Sequence, residues 1–280
     1  MEENIQLSFD LDRNNTVVQS NLMIYANYDL SALEQKILLI LISTIKKNDK
    51  ELNILEFLVK DLADILQVSP ELLYRDLPKL CKNIMSKIIE IKQPNGNWLM
   101  FNIINFAQYK SKEGRIILGI NKKAEPYLLE LKELFTSFKL DNALDLSGKY
   151  AIRLYQLTKG CLFKGKLTYD LNDFKKVLKI DKKKTYSTFS KINEKILTPA
   201  LEEINLKSDI EVSYTTKRVG RKIQYINFSI KEKKIKVAKR SKCKSKYVEH
   251  QKILSFNDFE QRQYSDDYLN NLADELSGLK

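Results

Sequence analysis

The chain has 280 residues and a net charge of +12, and 43% of its residues are apolar. That length and apolar content support two domains, each with a hydrophobic core. The longest apolar run, residues 37–42, is far too short to cross a bilayer, so we expect neither a membrane-spanning protein nor a membrane partner.

The N-terminus and the cysteines indicate a cytoplasmic protein. Residues 1–4 lack the basic start and the following apolar run of a signal peptide. Cys81, Cys161 and Cys243 are odd in number and scattered without metal-ligand spacing. Neither a disulfide framework nor a zinc ribbon is therefore expected, and a reducing compartment fits. We expect no cofactor and no metal.

The positive charge is unevenly placed along the chain. Residues 231–246 contain nine Lys and Arg against one Glu, whereas residues 247–280 contain three against seven Asp and Glu. The remaining 230 residues keep a net charge of +8. A basic body followed by a basic linker favours a polyanionic partner. A lysine-rich composition without functional meaning is the alternative explanation.

The order of the predicted elements is duplicated. Ser31 is placed to cap a helix over residues 33–45, and Ser147 belongs to a similar start 116 residues later. A short strand, a small helix, a longer helix and a β-hairpin follow each start. The small helices, at 61–66 and 172–178, are offset by 112 residues. This pattern predicts an α+β fold of two tandem winged helices, with a single α+β domain as the alternative.

The duplication and the charge pattern divide the chain into four parts. We expect an N-terminal arm over 1–21, a first winged-helix domain over 22–136, a second over 137–231, and a basic linker with an acidic tail over 232–280. The last part is expected to be partly disordered because of its charge and low apolar content.

The third helix of the second half is the main candidate for reading nucleic acid. The helix is predicted to begin at Lys184, directly after Lys182 and Lys183. Phe189, Ile192 and Ile196 fall on one face at helical spacing, and lysines and hydroxyl side chains fall on the other. A strongly positive helix start suits phosphate capture, and hydroxyl groups there can reach base edges. A solvated lysine face is the alternative. The candidate DNA contacts are Lys182, Lys183, Lys184, Thr185, Tyr186, Ser187, Ser190, Lys191 and Lys195.

The hairpin that follows is predicted to carry a basic tip. Apolar residues alternate over 210–214 and again over 226–230, as in two strands with one buried face. A basic tip of this kind straddles phosphates or enters a minor groove, although a solvated turn is equally consistent with the hairpin alone. The cations around Gly220 are Lys217, Arg218, Arg221 and Lys222.

The first half is predicted to be the weaker reader. Ser69 and Pro70 form a helix start, and Arg75, Lys79 and Lys82 lie opposite the apolar face of the helix that follows. Pro78 is expected to kink this helix or to shorten its regular part. A hairpin turn is expected over 93–97, followed by one long apolar strand over 98–106. That strand fits a protein–protein surface or plain core packing.

The familiar catalytic patterns are incomplete. Residues 160–167 resemble a phosphate-binding loop, but Leu167 stands where Ser or Thr should bind magnesium, and the segment follows a helix. A rolling-circle nicking enzyme needs a pair of metal-binding histidines, whereas His250 is the only histidine. No acidic cluster suggests a two-metal nuclease. We therefore expect no enzyme.

Several stretches together resemble the plasmid replication initiators of the winged-helix Rep family, which start theta-type replication at repeated origin sites. The resemblance covers about residues 20 to 231 and also includes part of the tail. The stretches that carry it are 147–157, 196–205, 208–210, 220–223 and 256–264.

The resemblance implies a division of labour. The first winged helix would mainly mediate dimer contacts, and the second would read double-stranded origin direct repeats (iterons). Monomers would help to melt an adjacent AT-rich segment and recruit host replication initiator or helicase-loading proteins, while dimers repress the initiator's own promoter. The implied major-groove residues are Lys184, Thr185, Tyr186, Ser187, Ser190 and Lys191, with Lys217, Arg218 and Arg221 at the DNA backbone.

Other functions stay open at this point. A winged-helix transcriptional regulator without a replication role is the main alternative, although the duplicated halves favour the initiator. An enzyme of nucleic-acid metabolism, an RNA-binding protein and a structural protein are weaker alternatives.

Overall fold

The computed structural model of the protein describes residues 5–7, 11–92, 96–132 and 134–233. From residue 234 onward, the predicted linker and tail lie outside the described residues. Within these ranges, no helix is long and apolar enough to cross a membrane.

The first half alternates short strands and helices. Its elements are β1 (Ile5–Leu7), β2 (Thr16–Ser20), α1 (Asn21–Tyr25), α2 (Ala32–Ser43), β3 (Ile54–Leu58), α3 (Val59–Leu66), α4 (Pro70–Met85), β4 (Ile88–Lys92), β5 (Trp98–Asn102), β6 (Ile104–Lys110), β7 (Arg115–Ile120), a 3₁₀ turn (Lys122–Ala124), α5 (Glu125–Leu128), β8 (Phe135–Lys139) and α6 (Leu140–Leu144).

The second half repeats this alternation. Its elements are α7 (Lys149–Lys159), a 3₁₀ turn (Leu162–Lys164), β9 (Lys166–Asp170), α8 (Leu171–Val177), a 3₁₀ turn (Lys184–Tyr186), α9 (Phe189–Ile192), a π turn (Asn193–Leu197), α10 (Thr198–Lys207), β10 (Ile210–Val219) and β11 (Lys222–Glu232).

The two main sheets have equivalent topologies, which confirms the predicted duplication. In the second half the strand order is β10-β11-β9, with all neighbours antiparallel. In the first half it is β1-β3-β7-β6, in which β3, β7 and β6 correspond to β9, β11 and β10. The additional strand β1 pairs parallel with β3. Each half is thus a winged helix: three helices and a three-stranded sheet.

The hairpin of the first half differs from the prediction. The apolar stretch expected as one strand over 98–106 is two strands that belong to different sheets. β5 pairs only with β4 in a separate two-stranded sheet, whereas β6 pairs with β7 in the main sheet. Ile103, between them, is fully buried. The β4–β5 hairpin is therefore an insertion, and the true counterpart of the second hairpin is β6–β7.

The packed body begins earlier than the predicted arm allows. β2 pairs antiparallel with β8, and Val17 in β2 is fully buried. Arg13 donates to Asp141 at 2.6 Å and to the carbonyl of Ile65 at 2.9 Å. Residues from Arg13 onward therefore belong to the first half, because Arg13 finds its hydrogen-bond partners there and Val17 is buried there. The arm expected over 1–21 therefore ends before Arg13. The boundary expected between residues 136 and 137 falls inside β8, which pairs with β2, so the first half extends through β8.

Two helix starts have the predicted caps. The Ser31 side chain accepts from the Glu34 amide at 3.3 Å, and the Glu34 carboxylate accepts from the Ser31 amide at 2.7 Å, which completes a capping box. The Ser69 hydroxyl caps α4 by accepting from the Leu72 amide at 3.5 Å, and Pro70 is at the first helical position. α4 continues through Pro78 to Met85. These local signals fix where the helices of the first half begin.

Helix α7 is buried between the two halves. Eight consecutive residues from Ala151 to Thr158 are buried, and the helix packs against α1 and α2 of the first half and α10 of the second. Apolar side chains of both halves form one continuous core around it. An α-helix that is buried on every face must find polar partners for its polar side chains.

Arg153 provides the main polar contact of this helix. Its side chain is only 3% exposed, and it donates to the carbonyls of Ile24 and Ala26 at 2.6 and 2.5 Å and to the Tyr28 hydroxyl at 2.8 Å. The guanidinium also lies 4.2 Å from the centroid of the Tyr28 ring. Because a buried charge is costly without such partners, this arrangement ties the first half firmly to α7.

A carboxylate from α10 holds the start of α7. Glu203 accepts from the Ser147 amide and hydroxyl at 2.7 and 2.6 Å and from the Gly148 amide at 3.1 Å. Lys207, one turn further along α10, also donates to it at 2.9 Å. Partial burial raises the pKa of Glu203, but these hydrogen bonds outweigh burial and lower that pKa to about 2. Residues of the resemblance stretches therefore have a structural role.

Glu203→Gln should make unfolding less dependent on pH. A depressed carboxyl pKa stabilises the fold above the unfolded value near 4.3, and that contribution is lost as pH falls through about 2. Charge-assisted hydrogen bonds of this kind contribute roughly 1.5–3 kcal/mol. We expect urea unfolding to show a loss of that size at neutral pH, shrinking towards about pH 2.

Glu202→Gln is the matched control, because Glu202 is adjacent in α10 and exposed. An equal loss of unfolding free energy in both variants at neutral pH would contradict the capping role of Glu203.

Candidate nucleic-acid interface

The third helix of the second half starts later than predicted. Instead of a helix from Lys184, the chain forms a 3₁₀ turn over Lys184–Tyr186, and α9 begins at Phe189 after an extended Thr188. Thr188 makes no side-chain cap, so the helix start is set by packing of Phe189 and Ile192 rather than by a local cap. Lys184 and Ser187 therefore lie on the turn before the helix.

A π turn follows α9 and has an identifiable cause. The amide of Thr198 bonds to the carbonyl of Asn193, five residues earlier, and Pro199 follows directly. Proline lacks an amide hydrogen, and its ring clashes with the carbonyl four residues before it. The helix over 189–207 accommodates Pro199 by widening one turn. Ile192 and Ile196 are both fully buried, as predicted.

The predicted reader residues are brought together on one exposed surface. We call residues 182–195 the reader segment. Within it, Lys191 and Glu194 form an ion pair at 2.8 Å between two exposed side chains. Lysine in such a pair keeps its charge available to a stronger anion, because surface pairs contribute little. The exposed reader residues are Lys182, Lys183, Lys184, Thr185, Ser187, Ser190, Lys191 and Lys195, whereas Tyr186 is half-buried.

Aromatic contacts fix the reader segment against its neighbours. The Phe189 ring lies 6.5 Å from that of Tyr214 in β10, and the Tyr214 hydroxyl donates to the Asn193 side chain. On the other side, the Tyr186 ring meets that of Tyr150 edge-on at 6.3 Å. Burial and the Tyr186 hydroxyl raise the pKa of Tyr150 well above its ordinary value, so Tyr150 stays neutral. The segment is thus held between β10 and α7.

The second hairpin has an exposed basic tip, which we call the wing (residues 217–222). Val219 pairs with Lys222, which leaves a two-residue turn with Gly220 at φ +59°. That conformation suits glycine at the first position of a tight hairpin turn. All four predicted cations are exposed there: Lys217, Arg218, Arg221 and Lys222.

Strand alternation separates two cations of the wing. Arg218 lies on the face of β10 that carries Tyr214, the residue against the reader segment, whereas Lys217 lies on the opposite face. The Lys217 ammonium is 5.8 Å from the centroid of the Tyr225 ring on that outer face. A register shift between Lys217 and Arg218 keeps both side chains close to the tip.

The first half exposes a similar but weaker basic surface. Arg75, Lys79 and Lys82 are exposed on α4, as predicted, and Arg75 is paired with Asp76 at 2.9 Å. The Tyr74 ring of α4 lies 6.4 Å from that of Tyr109 in β6, which parallels the contact between α9 and β10.

The sequence reasoning missed the basic hairpin tip of the first half. The β6–β7 turn contains the exposed Lys112 and Glu113, and the half-buried Arg115, which begins β7, lies 3.9 Å from Glu113. Gly114 sits in this turn at φ +62°, and a Cβ there would lie 2.9 Å from the Tyr74 hydroxyl. Turn residues over 111–114 between two alternating strands were the available signal.

The inserted β4–β5 hairpin exposes three large apolar side chains. Ile88, Trp98 and Met100 are 53%, 66% and 47% exposed. They lie opposite the buried Ile89 and Ile91, on a face that they share with Glu90, Lys92 and Asn102. Exposed apolar side chains grouped in this way mark interaction surfaces. These exposed side chains lie on a shorter strand than predicted, and the protein–protein surface stays a prediction.

The described cysteines and acidic side chains form no reactive thiol or metal-binding group in the described part of the chain. Burial raises the pKa of the Cys161 and Cys81 thiols, and the Cys161 sulfur lies 2.9 Å from the Tyr25 hydroxyl. In the described part of the chain, no three His, Cys, Asp or Glu side chains are grouped as metal ligands would be.

The comparison with protein families is decisive. The family description "Initiator Replication protein, WH1" matches residues 16–159, which is more than half of the chain. "Initiator Rep protein, WH2" matches residues 170–230. The chain belongs to the winged-helix replication initiator protein family. The first match extends through α7, the helix that both halves contact.

Individual relatives agree with this assignment. A replication initiation protein of Escherichia coli is 25% identical over 206 residues, which are 70% of this chain and 64% of that relative. The PI protein of Escherichia coli is 26% identical over 211 residues, covering 60% of this chain and 66% of that protein. The matches thus span slightly less than two thirds of these relatives.

A solved structure shares the fold. The crystal structure of Pi initiator protein in complex with iteron DNA superposes with a TM-score of 0.64 at 23% identity, covering 80% of this chain and 100% of that chain. The superposition confirms the tandem winged-helix fold of this initiator.

Proposed function

We propose that this initiator binds double-stranded DNA at repeated origin sites and starts plasmid replication there. The observation that carries the proposal is the exposed reader segment joined to a basic wing through Phe189 and Tyr214. A helix that presents lysines and hydroxyls beside a cationic hairpin is suited to a major groove and its flanking phosphates. The relatives' names, and the iteron DNA bound to Pi initiator protein, support the same function.

The two halves have different proposed roles. The second half reads the repeat, because its reader segment and wing together expose nine lysines and arginines, whereas α4 of the first half exposes three. The first half contacts DNA secondarily through α4 and also binds a second copy, because it alone carries the inserted β4–β5 hairpin. Local melting, recruitment of host replication initiator or helicase-loading proteins, and repression of the initiator's own promoter complete the proposal.

The proposed mechanism requires no catalytic step and no cofactor. Binding energy from phosphate and base contacts opens and organises the origin in the cytoplasm. Purified protein should therefore leave supercoiled plasmid un-nicked in the presence of magnesium, and nicking would contradict this part of the proposal.

Footprinting on the DNA flanking the gene tests the function directly. We expect several evenly spaced direct repeats to be protected in the presence of random competitor DNA. Protection of one inverted repeat at the promoter alone would instead favour a transcriptional regulator. If only salt-sensitive background binding appears, the basic surface is generic and the proposal is wrong.

Single substitutions should separate base reading from phosphate binding. Lys191→Ala should weaken binding to the protected repeat more than binding to random DNA, because the proposal assigns Lys191 to base contacts. Arg221→Ala should weaken both to a similar extent and reduce the salt dependence by about one counterion. Fluorescence anisotropy at several salt concentrations measures both effects, and identical behaviour of the two variants would contradict these roles.

The inserted hairpin should mediate self-association. Trp98→Ser removes the most exposed large apolar side chain of the β4–β5 face, so we expect dimer formation, measured by sedimentation equilibrium, to weaken at least about tenfold. Phe163→Ser is the matched control, because Phe163 is 57% exposed in a different part of the fold. Equal effects of both changes, or a wild-type protein that never dimerises, would contradict the proposal.

A further inference from the structure

Two carboxylates of the first half lie against lysines of the second half. Glu90 in β4 accepts from the Lys179 ammonium at 3.3 Å. Asp29, in the loop before α2, accepts from the Lys149 ammonium at 2.7 Å and lies 3.8 Å from that of Lys183. These three lysines come from α7 and from the turn between α8 and α9.

A fourth lysine completes the cluster. Lys87, immediately before β4, also acts electrostatically on Asp29, and the three lysines near Asp29 overcome its burial to lower its pKa. The ion pairs themselves place three lysines against two carboxylates, and Lys87, directly before β4, is a fourth cation of this strip. We call this strip the seam, and its lysines are Lys87, Lys149, Lys179 and Lys183.

The lysines of the seam can exchange their carboxylate partners for another anion. The side chains of Lys149, Lys179 and Lys183 are 30%, 36% and 40% exposed. Pairs in such a wet environment contribute little net stability, because solvent screens them and the side chains lose freedom. A more highly charged anion can therefore replace the carboxylates at small cost.

The seam is continuous with the reader segment. Lys183 belongs to both, and Tyr150, next to Lys149, contacts the Tyr186 ring of the reader segment. The backbone of Asn27 exchanges two hydrogen bonds with that of Glu90, at 2.8 and 3.0 Å, so the base of the inserted hairpin is fixed beside Asp29. DNA that lies on the reader segment would extend over this strip towards the first half.

We propose that the seam is a third DNA contact, which binds backbone phosphates between the two winged helices. Asp29 and Glu90 are its resting counter-ions: they orient the lysines in the free protein and are displaced by phosphate oxygens. They also limit the affinity, because their negative charges remain close to the bound backbone. This inference rests on the proposed DNA-binding function.

The lysine arm of the test uses Lys179→Gln. A phosphate contact acts on any sequence, so the variant should bind both the footprinted repeat and a random-sequence duplex of equal length about 3–10-fold more weakly. The slope of log affinity against log salt should fall by about one. Fluorescence anisotropy of the full chain at several salt concentrations measures both quantities.

Lys50→Gln is the matched control for this arm. Lys50 also forms an exposed ion pair, with Glu130, but it follows the C-terminal end of α2, whereas Asp29 precedes the N-terminal end. The 12 residues of α2 place these ends roughly 18 Å apart. We expect Lys50→Gln to change neither the affinity nor the salt slope.

The carboxylate arm uses Glu90→Gln, with Glu130→Gln as its control. Both changes remove one negative charge from an ion pair with lysine, although Glu90 is half-buried and Glu130 is exposed. Glu90→Gln should tighten binding to both duplexes about 2–5-fold at low salt, and Asp29→Asn should act in the same direction. Glu130→Gln should have no effect.

The outcomes separate this inference from the function on which it rests. If Lys191→Ala abolishes repeat recognition while the seam variants match their controls, the initiator function stands and the seam is merely structural. Weaker binding by Glu90→Gln would likewise overturn the inference, because it would show that the carboxylate supports binding. If the wild-type chain protects no repeat and the seam variants bind random DNA normally, both proposals fail.

Discussion

The architecture depends on one buried helix and the arginine that it carries. α7 has no solvent-facing side over eight residues, and Arg153 donates to Ile24, Ala26 and Tyr28 of the first half. Removing the guanidinium would leave buried carbonyl groups without donors, which costs more than the loss of a surface contact. The start of α7 is held in turn by Glu203 of α10. The two winged helices therefore share a core and act as one body.

The two halves that share this core are built alike. Each half docks its third helix on its hairpin through an aromatic pair, Tyr74 with Tyr109 and Phe189 with Tyr214. The halves differ by one insertion, because only the first contains the β4–β5 hairpin, whose outer face exposes Ile88, Trp98 and Met100. Under the proposed function, one unit used twice supplies two DNA-facing surfaces, and the insertion supplies the proposed surface for a second copy. The seam lies where the three meet.

The sequence predicted features that are determined by local chemistry. Ser31 and Ser69 cap their helices because a cap needs only the next three residues. Apolar residues that alternate over 210–214 and 226–230 predicted the two strands of the second hairpin, because one face of these strands is buried against helices. The break at Ile103 was not predictable, because the stretch is apolar throughout and only pairing with β4 or β7 divides it. The roles of Arg153 and Glu203 depend on partners 50 or more residues away, and no local pattern reveals them.

The shared core predicts that the two winged helices bind one DNA duplex as a rigid pair. The most direct measurement is the affinity for a footprinted repeat that has 10 base pairs inserted between the parts protected by the two halves. Such an insertion keeps the same face of DNA but moves one part by about 34 Å. A rigid pair can no longer use both parts, so the affinity should fall to that of a single reader, as it should with a five-base-pair insertion. Undiminished affinity for the 10-base-pair insertion would show that the halves move independently, and it would contradict the account.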